Sequence, residues 1–176
     1  MRDLISVKMD DSEVLAALGR LERKASNLRP FFVNVGEEML DFTKHEVFPS
    51  QRDPETGSPW APLKASTLAG KKRNTGLILR DRGHLQDTIR YNASGSGVRW
   101  GSDRIYAAIH HFGGKTKAHV IRAKRKKALA WPGARHPTRS VKHPGSKIPA
   151  RPFLGVGPRG RVRILEIAED FLGATQ

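Results

Sequence analysis

The 176-residue chain has no cysteine. That absence excludes disulfides, thiol nucleophiles, iron–sulfur clusters and cysteine-ligated zinc, so stability must come from packing and assembly. Long apolar runs are missing too. None approaches the ~20 residues of a membrane-spanning helix, so no membrane partner is expected. The opening Met-Arg-Asp-Leu-Ile-Ser lacks the apolar centre of a secretion signal, and a soluble protein used without export is expected. Hydrophobic residues make up 38% of the chain and aromatic ones 7%, enough for a modest core in a single domain over residues 1–176.

The most informative scarcity is local. The formal net charge is +15. Residues 1–103 hold 16 basic and 14 acidic side chains, while residues 104–165 hold 16 basic and no acidic ones. Residues 166–176 carry three acids and no Lys or Arg. An acid-free stretch of this size repels itself unless something anionic lies near, either nucleic acid or an acidic protein face. A solvated basic loop is the third reading.

Hydrophobic spacing supplies the elements. Residues 4–9 read as a short strand. Asp10 and Glu13 stand at capping-box spacing before Val14, Leu15, Leu18, Leu21 and Ala25, which predicts an amphipathic helix to about Asn27. A second helix starts near Pro30 with Phe32, Val35, Met39 and Phe42 as its buried stripe, and is expected to end before Pro49. Residues 49–63 contain four prolines and a glycine, which excludes regular structure, yet Trp60 and Leu63 require an ordered loop that docks them. A short helix is expected over 66–72 and a single helical turn near His84. A hairpin is expected over 88–93 and 98–100, and another short helix from Tyr106 to Phe112, closed by glycines. His119-Val120-Ile121 and Ala128-Leu129-Ala130-Trp131 read as the two strands of a basic arm. The last helix has Val162, Leu165, Ile167, Ala168, Phe171 and Leu172 as its apolar set. The expected class is α+β, with N- and C-terminal helices packed on a small antiparallel sheet and a basic loop or β-arm at about 115–147.

No catalytic constellation emerges. Gly155-Val156-Gly157-Pro158-Arg159-Gly160 fits the dinucleotide pattern G-x-G-x-x-G but lacks the preceding buried strand and the acid about 20 residues later. The seven histidines include no H-x-x-x-H pair, and His119, His136 and His143 have no nearby carboxylate to complete a metal site. Glu37, Glu38, Asp41 and Glu46 read as a solvated face of the second helix, alternating with Lys44. No cofactor, metal or enzymatic activity is expected. Lys124, Arg125, Lys126 and Lys127 form the densest cationic run, a candidate contact for DNA or an acidic partner. It lacks the interleaved aromatics of a base-stacking platform.

Five stretches, in order, resemble the phage virion morphogenesis family, the tail completion proteins of Mu-like and related phages. They are Phe48 to Leu63 with Gln51, Pro54, Gly57, Trp60 and Pro62; Ile78-Leu79-Arg80-Asp81-Arg82-Gly83-His84-Leu85; and Trp100-Gly101-Ser102. Tyr106-Ala107-Ala108-Ile109-His110-His111-Phe112-Gly113 follows, with His111 where the family usually has glutamine, and then Ile148-Pro149-Ala150-Arg151-Pro152-Phe153-Leu154-Gly155. The likeness covers about residues 30–172, and the long basic stretch between Gly114 and Ile148 departs from it. The resemblance implies a non-enzymatic structural protein of the head–tail junction. It would act in tail completion and head–tail joining as part of a homo-oligomeric ring, most simply a hexamer. Its neighbours would be connector, tail terminator or tail tube proteins, with non-specific contact to DNA in the channel. Its location would be the virion, after assembly in the host cytoplasm. Trp60, Tyr106, His110, Arg151 and Phe153 are its framework or interface residues, docking within the subunit or across a subunit boundary. The competing reading is a small basic nucleic-acid-binding protein, which the charge alone supports.

Overall fold

The computed structural model describes residues 12–124, 127–130 and 136–173. The expected strand at 4–9 and the capping residue Asp10 lie outside them. Helix α1 spans Ser12–Ser26, with Glu13 in its first turn and Arg23 and Lys24 in its last, each placed to oppose the helix dipole. Its stripe is not core: Leu15 and Leu18 are 59% and 57% exposed.

Helix α2, Arg29–Asp41, carries Pro30 in its first turn and buries Val35, Gly36 and Met39. It does not stop before Pro49. The helix widens into a π turn over Phe42–Val47 and regains an α turn, α3, at Phe48–Ser50, where Pro49 occupies a first-turn position that needs no N–H donor. The chain turns off at Gln51 in the left-handed region, φ 55°. The wide turn keeps Phe42, Thr43, Val47 and Phe48 buried together, and the Thr43 hydroxyl donates back to the Met39 carbonyl at 2.7 Å.

The hairpin of β1, Ile89–Ala93, and β2, Val98–Ser102, is antiparallel, pairing Ile89 with Ser102 and Tyr91 with Trp100. It lies across α2 at Gly36, where a Cβ would meet the Tyr91 ring at 2.3 Å, so glycine is needed for this approach. Short helices α4 (Ala65–Gly70), α5 (His84–Asp87) and α6 (Ala107–Phe112) occupy the connections. The core gathers Val35, Met39, Phe42, Val47, Phe48, Trp60, Leu85, Ile89, Ala107 and Phe153. Each fully buried large side chain contributes roughly 1.5–3 kcal/mol.

Helix α7, Gly157–Gly173, packs on α2 through Gly160, whose place for a Cβ is 3.5 Å from the Met39 sulfur. The expected apolar set is split by this contact. Ile164 and Ile167 pack on the core and the Phe171 ring meets Phe31 at 5.8 Å, but Val162, Leu165 and Leu172 face outward. Two apolar arcs compete on this helix, and α2 covers only one of them.

The remaining strands make the arm: β3 (Gly114–Lys115) pairs with β6 (Lys147–Ile148), and β4 (His119–Arg122) with β5 (Ser140–His143). Among the described residues three two-stranded antiparallel sheets thus replace the single small sheet, within the expected α+β class. The expected second arm strand at 128–131 is wrong. Gly114↔Ile148 and His119↔His143 belong to one continuous register, so the partner of Ile121 is Val141 and residues 128–130 fall towards the tip. Leu129 makes only an isolated bridge to Thr138. Trp131 lies outside the described residues.

Candidate functional site

The Pro-rich loop, α6 and the segment 148–155 converge on one junction. Trp60 is 5%, Arg151 6% and Phe153 1% exposed. The Trp60 indole N–H donates to the Pro152 carbonyl at 2.7 Å, fixing the ring between segments 92 positions apart. Phe48 meets Trp60 edge-on at 5.8 Å and Phe153 at 5.6 Å, an aromatic cluster that adds orientation to burial. Arg151 donates from Nε to the Ala61 carbonyl at 2.8 Å and from Nη2 to the Pro62 carbonyl at 3.1 Å, and its own backbone N–H reaches the His110 carbonyl at 2.9 Å. Four prolines leave this loop short of N–H donors, and a buried guanidinium supplies donors to its carbonyls. Burial lowers the Arg151 pKa from its ordinary value.

The two adjacent histidines separate here. His111 accepts the Phe153 N–H at Nδ1, 3.3 Å, which requires a neutral ring with its proton on Nε2. Burial lowers its pKa, against a smaller opposing pull from Asp53. His110 stacks edge-on against Tyr106 at 5.9 Å, and its buried Nδ1 has no hydrogen-bond partner among the described residues. Burial, then the Arg151 charge, lowers its pKa. Tyr106 is 38% exposed and, with His110, borders a surface groove flanked by Lys64, Arg82 and Lys147.

Several contributors were not singled out in the sequence. Gln51 donates to the Gly76 carbonyl at 3.3 Å and accepts the Ile78 N–H at 2.7 Å, pinning the next loop; its place in the first quoted motif was the available signal. Lys71 donates to the carbonyls of Asn74, Leu77 and Arg80, so one ammonium closes that loop from inside. Glu55 accepts the Val156 N–H at 2.8 Å and lies 3.5 Å from Arg161, placing a carboxylate at the start of α7. The G-x-G-x-x-G glycines serve this packing. At Gly157, φ +56°, a Cβ would sit 1.9 Å from the Pro54 carbonyl oxygen.

The expected solvated acidic face is also corrected. Glu38 and Glu46 both bind Arg163, with Glu38 at 2.6 Å, and Arg159 lies 3.0 Å from Glu46. The Arg163 guanidinium also lies 5.3 Å from the Phe42 ring centre. Burial pulls the Arg163 pKa down, but the hydrogen bonds it donates to both carboxylates, with their charges, outweigh burial and hold it above its ordinary value. Glu38 and Glu46 clamp the last helix, while Glu37 and Asp41 stay exposed as expected, Glu37 accepting from the Tyr91 hydroxyl at 3.1 Å and Asp41 pairing with His45 at 2.6 Å.

The basic arm is built differently. Every residue of β4 is exposed. At its base Thr116 and Ser146 exchange hydrogen bonds of 2.9 and 2.7 Å, and Gly145, φ +89°, makes room for the Thr116 carbonyl. Between the Arg122↔Ser140 pair and the Leu129↔Thr138 bridge one side of the arm has residues 123–128 and the other only 139. Lys124 and Lys127 fall in this surplus and are not part of the ladder. Lys124 and Lys127 are exposed; Arg125 and Lys126 lie outside the described residues. No group of three or more His, Asp or Glu suited to a metal ion occurs among the described residues.

The sequence pattern of the phage virion morphogenesis family matches residues 9–173. The chain is also similar to the putative capsid assembly protein G of Escherichia phage Mu. It is 28% identical over 124 residues, which cover 69% of this chain and 65% of that protein, just under two thirds. No solved structure matches it.

Proposed function

Because the chain belongs to the phage virion morphogenesis family, we propose that it is a structural protein of the head–tail junction, acting in tail completion and head–tail joining within a homo-oligomeric ring. The observation that carries this is the contrast between a rigid interior and surfaces left unpartnered. The junction residues Trp60, Arg151 and Phe153 are consumed by contacts within the chain and serve as framework. Outside it stand an acid-free arm and large exposed apolar side chains, Ile105 at 98% and Phe112 at 77%. Ala108 and Phe112 share one face of α6 at helical spacing, Ile105 lies in the turn before it, and Tyr106 and His110 border the neighbouring groove. Exposed apolar groups in such number are a property of proteins that assemble.

The Mu relative's name supports a part in particle assembly. A six-membered ring with connector, tail terminator or tail tube proteins as neighbours suits a protein around a channel. The arm then meets an acidic protein face or the passing DNA. The role is structural and non-enzymatic, as is general in this family. The protein would work in the host cytoplasm during assembly and stay in the virion. Among the described residues no helix is long and apolar enough to cross a membrane.

A phage lacking this gene tests the reading. Full heads separate from tails are expected by electron microscopy, restored to joined particles when the gene is supplied in trans. Normal infectious particles without the gene would overturn it.

A further inference from the structure

Helix α7 has two faces, and only one is used inside the chain. Gly160, Ile164, Ile167 and Phe171 turn towards α2 and the core. On the opposite face stand Val162 and Leu165, 55% and 62% exposed, with Glu166 and Glu169 beside them at helical spacing. The charges of this helix are sorted in the same way. Arg159, Arg161 and Arg163 are neutralised by Glu46, Glu55 and Glu38 of the same chain. Glu166 and Glu169 have no ion pair among the described residues. The outer face is therefore apolar and acidic.

The arm presents the complement. In the β4–β5 ladder Val120 pairs with Lys142, and Arg122 with Ser140. Alternation along each strand puts Val120, Arg122 and Lys142 on one side of the ribbon. Val120 is 48% exposed, Arg122 and Lys142 are exposed, and neither cation has an ion pair among the described residues. One ribbon face thus carries an apolar centre flanked by two cations, and one helix face an apolar centre flanked by two carboxylates.

We propose that the Val120–Arg122–Lys142 face of the arm docks on the Val162–Leu165–Glu166–Glu169 face of α7 in a second copy of the chain. This deepens the ring reading and rests on it. The two surfaces are different parts of the chain, so each subunit offers one and receives the other. Such head-to-tail contacts generate a closed ring when the rotation closes. The contact also explains how an acid-free arm avoids self-repulsion: its anionic partner lies on the neighbouring subunit.

Charge reversal and its rescue test this, read by the mass of the full chain in solution with sedimentation or light scattering. The Glu166→Lys/Glu169→Lys variant and the Arg122→Glu/Lys142→Glu variant are each expected to weaken self-association at least about tenfold. All four substitutions in one chain are expected to restore it. Thermal unfolding of each variant checks that the fold is kept. A wild-type oligomer whose mass neither reversal changes would overturn this surface and leave the ring standing. Reversals that weaken association without rescue in the fourfold variant would overturn the pairing of these two faces. A wild-type chain that stays monomeric at every concentration would overturn the ring and this contact together. If the arm reversal abolishes retention of duplex DNA at unchanged mass, the arm belongs to DNA and the proposal fails.

Discussion

Two connecting segments of this chain, residues 49–63 and residues 114–148, are both rich in proline and polar side chains, yet only the second is acid-free and they fold differently. The first folds against Phe48, docks Trp60 and receives two hydrogen bonds from Arg151. The second projects as a ribbon in which all of β4 is exposed. The first segment is held by its aromatic anchor; Trp131 of the second lies outside the described residues. A single tryptophan with a donor to satisfy ties the first segment to a distant carbonyl, whereas repeated cations keep the second in water. Irregular backbone is therefore no measure of rigidity; what its side chains bury is.

The contrast can be broken most forcefully at the anchor. Phe153→Ala removes a fully buried ring from the cluster with Phe48 and His111, and a loss of about 3–5 kcal/mol is expected by denaturant unfolding. Arg151→Met keeps the volume but leaves the Ala61 and Pro62 carbonyls unpaired, and should cost about 2–3 kcal/mol. A loss under half a kilocalorie for either would show that the junction is not what holds the loop. Next comes Arg163→Ala, which unpairs Glu38 and leaves Glu46 only its pair with Arg159. The cluster is only partly buried and partly screened, so about 1–2 kcal/mol is expected in the same measurement.

Acid should sharpen the contrast. His110 and His111 have folded-state pKa values below the ordinary 6.5, so in this window the unfolded chain binds more protons. Their contribution is fully present above 6.5, and falls as pH drops from there through the folded values. The melting temperature should decline over that range, and the His110→Gln/His111→Gln variant should show a shallower decline. An unchanged slope would count against buried neutral histidines. The smallest effect is expected in the arm. Replacing residues 117–145 by a short turn joining Thr116 to Ser146, which already face each other, should shift stability by less than about 0.5 kcal/mol. A collapse of the fold would show that the arm is part of the body.

The elements legible in the sequence were those with strong local signals. Val35 and Met39 form the inner stripe of α2 as their spacing requires and Phe42 continues it into the π turn, whereas Phe32, expected with them, is only half-buried and lies outside the core; Trp60 docks as a loop tryptophan must. Pro49 misled because a π turn carries the helix past it. The apolar run at 128–131 misled because arm register is set at the base, by Gly114↔Ile148, and local strand propensity does not overrule it. Of the site, Trp60, Arg151 and Phe153 were visible as motif residues, but their partners were not. A backbone carbonyl such as that of Pro152 carries no sequence signal, and Glu38 meets Arg163 across 125 positions.

The sequence by itself determined the family, the helices at both ends of the chain and the confinement of excess charge to 104–165, because composition and short-range spacing decide these. Only the tertiary structure decided which acids clamp α7, which of its two apolar arcs is buried, and which strand closes the arm. Those outcomes depend on pairings between residues far apart in the chain, where several partners satisfy the same local pattern and packing selects one.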